Sequence, residues 1–432
     1  MNDDLRVLIV AEHASALFGG EAALPLHYFR VLRNRGIAVW LVTHARTRDE
    51  LAKLYPDDDR IVYIEDTAWH RAMWRIGQPL PAQISYLTTG FLSRLSTQLS
   101  QRRVVRRLVK EWGITVVHQP MPVSPREPSM LFGFGVPVVI GPMNGGMDYP
   151  AAFRRNRSGV ERLLLAFGRA SAAALNVLMP GKRRAATLLV ANQRTRDALP
   201  KGVCENVVEL VENGVDLSLW KSPITRSDAP RGGTVTFVFM GRLVELKGVD
   251  LLLCAFAKAR SQASMRLWIL GDGVERTRLE ALAMNLGILG VESQTVGRVY
   301  FAGWVAQEAC VERVRTADCL ILPSLHECGG AVVLEAMSMG KPVIATAWGG
   351  PLDYLDSSCG VLIPPVSRES IIECLVKSMV EMAQSETTRN RLGECGLLKV
   401  HKEFDWELKV DRMIALYRDA MQRQATLAQP SS

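Results

Sequence analysis

The feature that most restricts the fold is an alternation of short apolar runs with helical patterns, which the chain goes through twice. The strand-like runs of the first half are Arg6–Ala11, Ile37–Thr43, Ile61–Ile64, Thr115–His118, Pro137–Ile140 and Thr187–Val190. Those of the second half are Thr234–Met240, Arg266–Leu270, Arg298–Phe301, Asp318–Leu322 and Pro342–Thr346. Strands that alternate with helices build right-handed βαβ units around a parallel sheet. The sequence therefore predicts the α/β class, with two Rossmann-like parallel-sheet domains.

A turn-rich segment separates the two halves. It contains Asn213-Gly214-Val215-Asp216, then Ser222-Pro223, then the glycine-ended stretch Asp228–Gly233. Such clusters interrupt regular structure, and 432 residues are enough for two domains of ordinary size. We therefore predict a first domain over residues 1–213 and a second over residues 214–404.

Cysteine usage and hydropathy exclude several classes of protein. None of the eight cysteines forms a Cys-x-x-Cys pair, and Cys254, Cys319 and Cys374 lie in apolar runs. This pattern indicates a reducing compartment, without a disulfide framework or a zinc site. The first strand begins almost at the terminus, and no run of about 18 uncharged apolar residues occurs. We expect a cytoplasmic protein with no signal peptide and no transmembrane helix.

The net charge of +8 is concentrated in one region. Residues 101–200 carry 16 Lys and Arg against 5 Asp and Glu. One basic group lies in Arg102–Arg107. Two others flank the apolar stretch Leu163–Pro180: Arg154, Arg155 and Arg157 before it, and Lys182–Arg184 after it. One interpretation is solvated helix faces around a buried helix. The other is a peripheral contact of residues 101–200 with anionic lipid. No nucleic-acid-binding motif accompanies the charge, so we expect no nucleic-acid partner.

The most informative motif is His326–Met337, which follows the strand ending at Leu322. Glu327 and Glu335 are eight residues apart and bracket Gly329-Gly330 at a helix start. Glycines let the backbone approach a ligand closely, and the unpaired N–H groups of a helix start favour an anion such as a diphosphate. A carboxylate inside the helix, at Glu335, needs hydroxyl donors, and a ribose supplies two.

A second motif, Gly241–Asp250, follows the strand ending at Met240. It places Arg242 and Lys247 on a loop bounded by glycines at the carboxyl end of a strand. Ligands of open α/β sheets bind at that edge. An arginine can bind two phosphate oxygens at once, whereas a lysine acts as a point charge. A diphosphate would suit this loop; a solvated basic loop is the alternative when the motif is taken alone.

These motifs carry a family resemblance. Gly241–Asp250, Asn213–Asp216, the Glu-x7-Glu segment that runs on to Thr346, and Gly349-Gly350 resemble the retaining glycosyltransferases of group one, family four. The resemblance is dense over residues 205–370 and looser in the first half. It implies the GT-B architecture, in which two Rossmann-like domains face each other across a cleft. It also implies that a C-terminal helix, residues 405–424, completes the first domain.

The resemblance further implies roles for individual residues of the second domain. Arg242 and Lys247 would bind the donor's diphosphate and neutralise its charge as the sugar leaves, which is usually the largest catalytic contribution. Glu327 would hold sugar hydroxyls near the reacting carbon, beside Gly329 and Gly330. Glu335 would hold the ribose.

In the first domain the resemblance implies that Gly19 and Gly20 let the backbone close on the phosphates. His118 would lie near the sugar as an orienting or electrostatic group. Members of the family need no bound metal, and the nucleotide sugar is a substrate, so no cofactor is expected.

The function expected from the resemblance is transfer of a hexosyl unit from a UDP- or GDP-sugar to a lipid-linked or glycan acceptor, with retention of configuration. Three alternatives stay open. The protein could be a nucleotide-sugar epimerase, a glycosyl synthase acting on a sugar phosphate, or a catalytically idle subunit that binds a nucleotide sugar.

Several weaker candidates remain. Asn144 and Asp148 lie in a turn-rich stretch and either reach the acceptor or belong to a structural loop; His13 either faces the cleft or lies on the surface. Asp57-Asp58-Asp59 suggests either a metal site or, more simply, a solvated turn. Gly271-Asp272-Gly273 lacks the third glycine of a dinucleotide loop, because Arg276 stands there, and this excludes nicotinamide binding.

Overall fold

The chain forms two compact units. The computed structural model describes residues 4–17, 19–80, 82–154, 172–221, 233–292 and 296–428. The first unit comprises Met1–Gly146, Ser158–Glu212 and Lys409–Ser432, and the second comprises Met147–Arg157 and Asn213–Leu408. This division differs from two unbroken domains, because Met147–Arg157 groups with the second unit.

The first unit is built on a seven-stranded parallel sheet. Its strands are β1 (Arg6–Val10), β2 (Ala38–His44), β3 (Ile61–Ile64), β4 (Val116–Gln119), β5 (Val138–Met143), β6 (Thr187–Val190) and β7 (Val207–Glu209). Their order in the sheet is β3-β2-β1-β4-β5-β6-β7, with every pair parallel. The central strands are continuous apolar runs because helices cover both faces of such a sheet.

The described helices of the first unit follow the strands. They are Gly20–Asn34, Arg48–Leu54, Ala68–Gly77, Ala82–Ser85, Phe91–Glu111, Gln193–Ala198 and, from the C-terminal end, the larger part of Trp406–Ala428. Short turns add Ala45–Thr47, the π-helical Tyr86–Gly90, and Lys182–Arg184. Residues 172–178 are also helical, while the rest of the predicted apolar stretch up to residue 171, together with Arg155 and Arg157, lies outside the described residues.

The second unit contains a six-stranded parallel sheet. Its strands are β8 (Val235–Met240), β9 (Met265–Leu270), β10 (Val299–Gly303), β11 (Cys319–Leu322), β12 (Val343–Thr346) and β13 (Gly360–Ile363), in the order β10-β9-β8-β11-β12-β13. The described helices and helical turns are Ala151–Phe153, Glu245–Lys247, Val249–Ala259, Arg276–Asn285, Gln307–Thr316, Ala331–Ser338, Pro351–Tyr354, Arg368–Gln384 and Glu386–Glu403.

All eleven predicted strands are present, within one to three residues at each end. The sequence analysis missed β7 and β13. Both are short and lie at a sheet edge, and neither is fully buried, so their apolar signal is weak.

The last helix, Trp406–Ala428, joins the first unit from Lys409 onward. Asp411 forms an ion pair with Arg35, and the guanidinium of Arg412 donates a 2.8 Å hydrogen bond to the carbonyl of Glu209. The buried amine of Lys409 donates to the carbonyl of Val211. Polar contacts of this kind attach the C-terminal helix to the sheet that the N-terminal residues form.

Candidate active site

The second sheet reverses its strand order between β8 and β11. Loops that follow such neighbouring strands meet at the carboxyl edge, where α/β sheets bind ligands. The loop after β8 and the loop after β11 are joined there by a 2.8 Å hydrogen bond from the amide of Leu325 to the carbonyl of Leu246. Gly248 has φ of +63°, and a Cβ at this position would overlap the carbonyl oxygen of Pro323. Glycine is therefore required for the two loops to approach this closely.

This contact brings together two of the residues predicted from the motifs. The amine of Lys247 donates to the carboxylate of Glu327, and their side chains are only 15% and 11% exposed. The hydroxyl of Ser324 donates to the same carboxylate oxygen at 3.1 Å. Charge-assisted hydrogen bonds are stronger than neutral ones, so the pair holds both side chains at the sheet edge. Ser324 was not predicted from the sequence.

Glycines line the start of the helix Ala331–Ser338. Gly330 precedes the helix in a left-handed conformation, and a Cβ there would lie 3.1 Å from Cγ of Glu327. The amide of Gly350 donates to the carbonyl of Glu327 at 2.7 Å, and a Cβ at Gly350 would overlap the carbonyl oxygen of Gly329. The first amides of a helix have no partner within it and attract anions. Because glycines have no side chain, the first backbone amides of this helix stay accessible at the position predicted for a diphosphate.

Glu335 lies inside this helix and is half-buried. Among the described residues, no hydrogen bond or ion pair reaches its carboxylate. Burial raises the pKa of Glu335 to about 7. It also raises the pKa of the nearby Cys310 thiol to about 11, with the negative charge of Glu335 adding to the effect. A half-buried carboxylate with no donor is costly, and hydroxyl donors from a ligand would offset that cost.

Arg242 begins the same loop as Lys247, directly after Gly241. Its side chain is exposed, and within the described part of the chain it has no ion-pair partner. The loop therefore carries two cations: Lys247, which is paired with Glu327, and Arg242, which is exposed to solvent.

The segment Met147–Arg157 packs beside this site. The indole N–H of Trp348 donates to the carbonyl of Asp148 at 2.8 Å, and the rings of Tyr149 and His326 lie 5.1 Å apart. His326 adjoins Glu327, and Trp348 adjoins Gly349-Gly350. The backbone of Asp148 is thus held next to the site, and its role toward an acceptor stays a prediction. The sequence signal was the turn-rich composition; the partner Trp348, two hundred residues away, was not predicted.

Asn144, the other acceptor-side candidate, lies in the first unit. Its side chain is almost fully buried, and its amide oxygen accepts a hydrogen bond from Arg194 at 3.3 Å. Its backbone N–H donates to the carbonyl of Val123 at 2.9 Å. These contacts favour the structural interpretation of Asn144.

His118 is in β4, the central strand of the first sheet, and is fully buried. One ring nitrogen makes a 2.7 Å hydrogen bond with the carbonyl of Gly141, and the other makes a 2.7 Å hydrogen bond with the hydroxyl of Tyr417. Burial lowers the pKa of His118 to about 4, so the ring is neutral at physiological pH. Within the first unit His118 thus attaches the C-terminal helix to the sheet. Its role beside the sugar stays a prediction.

Gly19 and Gly20 form the exposed start of the helix Gly20–Asn34, after β1. Gly19 has φ of +102°, and no heavy atom lies within 4 Å of a Cβ built at either glycine. The positive φ explains the need for glycine at position 19. The space around both residues is open, and their role toward a phosphate remains a prediction.

The weaker candidates have ordinary structural partners. Asp58 forms an ion pair with Arg33 and accepts a 3.0 Å hydrogen bond from the amide of Arg60. Within the described ranges no group of three His, Cys, Asp or Glu side chains could hold a metal ion. His13 is half-buried, and burial together with Arg46 lowers its pKa. All eight cysteines are described, and none forms a disulfide. No described helix is long and apolar enough to span a bilayer.

Comparisons with known proteins agree with this geometry. Residues 223–396 match the family described as glycosyl transferases group 1. The lipopolysaccharide core biosynthesis glycosyltransferase LpsE of Rhizobium meliloti is 32% identical over 44% of this chain and 51% of its own length. A D-inositol 3-phosphate glycosyltransferase of Segniliparus rotundus is 31% identical over 50% of this chain and 47% of its own. The chain spans about half the length of the curated relatives it matches.

Solved structures resemble nearly the whole chain. HepE of Anabaena, in complex with UDP, has a TM-score of 0.63 at 15% identity, covering 96% of this chain and 100% of that protein. The same protein has also been solved in complex with UDP-glucose, with a TM-score of 0.60.

The two parallel-sheet α/β units give the chain the GT-B fold of these structural neighbours. The match over residues 223–396 covers most of the second unit. This part of the chain is similar to the group 1 glycosyltransferases.

Proposed function

We propose that this protein transfers a hexosyl unit from a UDP- or GDP-sugar to a glycan or lipid-linked acceptor, with retention of anomeric configuration, in the synthesis of a cell-surface polysaccharide or glycolipid. The observation that carries the proposal is the Lys247–Glu327 pair between two glycine-bounded loops at the switch point of the second sheet. The UDP and UDP-glucose complexes of HepE and the name of LpsE support the donor class and the pathway class.

The proposed chemistry assigns each charged group to one part of the donor. As the glycosidic bond breaks, negative charge grows on the diphosphate, and Lys247 and Arg242 stabilise it. Glu327 accepts hydrogen bonds from sugar hydroxyls, and Glu335 accepts them from the ribose. The acceptor attacks on the face that the diphosphate leaves, and the leaving phosphate takes the acceptor's proton. The proposal assigns no enzyme nucleophile, cofactor or bound metal.

Calorimetric titration of two variants tests these assignments. Lys247→Met is expected to weaken binding of UDP and of UDP-glucose alike, by about 10- to 100-fold, because a charge-assisted contact to the diphosphate is lost. Glu327→Gln is expected to weaken UDP-glucose more than UDP, because the sugar contact is present only in UDP-glucose, whereas the altered pairing with Lys247 affects both ligands alike. Lys258→Met, an exposed lysine on the helix Val249–Ala259, is the matched control and should bind as the wild type does. GDP and GDP-sugars are titrated in parallel to identify the base.

Turnover separates the proposal from its alternatives. Transfer to an added glycan or lipid-linked acceptor, with the donor's anomeric configuration kept in the product by NMR, supports it. Conversion of the nucleotide sugar in the absence of acceptor would indicate an epimerase, and donor binding without turnover across an acceptor panel would indicate an idle subunit. Failure of any nucleotide sugar to bind at millimolar concentration would refute the assignment of the donor site.

A further inference from the structure

Residues 68–110 combine an unusual charge with a helical structure. The 43 residues contain eight Lys or Arg and no Asp or Glu. The structure folds them into the helices Ala68–Gly77 and Phe91–Glu111 and the short turns between them. Arg94 is compensated from outside by Glu127, at 2.7 Å, but most of the other cations are exposed. We call the exposed side chains of these residues the 68–110 surface.

The same surface also exposes large apolar side chains. Two tryptophans are among them, and Trp74 is 65% exposed. The full set is Trp69, Trp74, Ile76, Ile84, Leu92 and Leu99. Single exposed apolar residues are common, whereas a group of them in one short segment marks an interaction site.

The helix Ala68–Gly77 packs on the helix Phe91–Glu111 and on the helical turns between them through small and polar groups, which leaves much of its apolar surface uncovered. A ring nitrogen of His70 makes a 3.1 Å hydrogen bond with the hydroxyl of Thr97, and a Cβ at Gly77 would lie 2.7 Å from the hydroxyl of Ser85. In the helix Ala68–Gly77 only His70, Met73 and Gly77 are buried. At 100° per residue these three form a narrow stripe, with Trp69 and Ile76 on one side and Trp74 on the other. The apolar face of this helix is thus wider than the part that the protein covers.

In the helix Phe91–Glu111 one exposed stripe changes from apolar to basic. Leu92, Leu99, Arg103, Arg106 and Lys110 are all exposed, and their spacings of seven, four, three and four residues place them on one face. The stripe is about 27 Å long at 1.5 Å per residue. Its first half is apolar and its second half is cationic.

Arg102 is not part of this surface. Its guanidinium donates to the carbonyl of Met130 at 2.8 Å and to that of Phe132, and it lies 3.7 Å from the centre of the Phe132 ring. Lys182, another cation of the basic region 101–200, is fully buried and donates to the carbonyls of Ser124 and Pro125. The excess charge of residues 101–200 is therefore partly used inside the first unit, which shifts the candidate membrane contact toward residues 68–110.

We infer that the 68–110 surface docks the protein peripherally on a membrane that contains anionic lipid, with the exposed tryptophan and aliphatic side chains in the interfacial layer and the arginines at lipid phosphates. Aromatic and aliphatic residues beside Arg and Lys are the composition that binds such interfaces. Each cation near an anionic surface adds to the affinity. The inference is independent of the donor site, because it concerns the first unit alone.

Charge and side-chain type favour this occupant over two others. A second copy would bring the same acid-free surface against itself, and like charges repel. A single-stranded nucleic acid would need a row of aromatic side chains for base stacking, whereas four of the six exposed apolar residues are aliphatic.

Co-sedimentation of the full chain with vesicles tests the inference, without donor or acceptor. The vesicles contain phosphatidylcholine alone or with about a quarter of phosphatidylglycerol, at about 100 mM salt. Two double variants alter the surface. Two control variants, one single and one double, make the same kinds of substitution at exposed positions elsewhere. The surface variants are Trp69→Ser with Trp74→Ser and Arg103→Glu with Arg106→Glu; the controls are Trp304→Ser and Arg391→Glu with Lys402→Glu.

The wild type and both controls should bind the anionic vesicles. The affinity of each surface variant should be lower by about tenfold or more. All substituted side chains are exposed or intermediate in the fold, and equal thermal unfolding of variant and wild type verifies that the fold is kept. Unchanged binding of either surface variant would overturn the inference. So would tighter binding to a single-stranded oligonucleotide than to vesicles, or self-association in light scattering that the tryptophan variant abolishes.

Discussion

Replacing Glu335 by glutamine removes a charge that burial makes unfavourable, while keeping the size and shape of the side chain. The carboxylate has no protein partner among the described residues, and burial raises its pKa from the ordinary value of 4.5 to about 7. We therefore expect Glu335→Gln to stabilise the folded protein at alkaline pH and to weaken donor binding. Functional sites commonly hold groups that reduce stability in this way.

The size of the effect follows from proton linkage. Because the folded-state pKa is the higher one, the folded protein binds the proton more tightly than the unfolded chain does. The penalty from Glu335 is small below about pH 4.5, grows as the pH rises toward 7, and is constant above that value. At about 1.4 kcal/mol per pH unit, the rise from 4.5 to about 7 corresponds to at most about 3.5 kcal/mol. The stabilisation by glutamine should approach this figure at pH 8 and nearly vanish at pH 4.5.

Urea unfolding at pH 5 and pH 8, followed by tryptophan fluorescence, measures the difference between variant and wild type. Glu308→Gln, an exposed glutamate on the helix Gln307–Thr316, is the matched control, and its effect should be small and independent of pH. If Glu335→Gln changed the stability equally at both pH values, or destabilised the protein at pH 8, the carboxylate would not be the isolated buried charge that the structure shows.

Three further predictions concern residues around the two sheets. Gly350→Ala should lower donor affinity at least tenfold, because its Cβ would overlap the carbonyl of Gly329 and displace the helix start; calorimetry with a UDP-sugar measures this, and unchanged affinity would contradict it. Tyr417→Phe should lower the free energy of unfolding by about 1–2 kcal/mol, since His118 loses a buried hydrogen bond; a change below the error of denaturant titration would argue against that contact. Burial lowers the pKa of Lys182 to about 7, so the free energy of unfolding of the wild type should increase as the pH rises from about 7 to 10. In Lys182→Met this increase should be absent, and an unaltered pH profile of the free energy of unfolding would refute the prediction.

The architecture could be predicted from the sequence because each strand of a parallel sheet has a local signal, a short apolar run. β3 and β6 were predicted with their observed bounds, since each is a short apolar run between turn signals. The grouping of Met147–Arg157 with the second unit could not be predicted. It depends on the hydrogen bond between Trp348 and Asp148, whose residues are far apart in sequence and carry no pattern that links them.

The same difference explains why side-chain contacts were easier to predict in the second unit than in the first. In the second unit, the loops after β8 and β11 each contain a charged residue followed by glycine within two positions, and the adjacency of the two strands brings Lys247 to Glu327. Local motif and sheet order together were sufficient there. In the first unit, His118 is the last residue but one of β4, near the corresponding switch point, and the local pattern did not predict that this side chain is buried. One of its ring nitrogens makes a hydrogen bond with Tyr417, which lies 299 residues further along the chain. A histidine near the carboxyl end of a strand is therefore weaker evidence for a ligand site when other parts of the chain supply partners for both of its nitrogens.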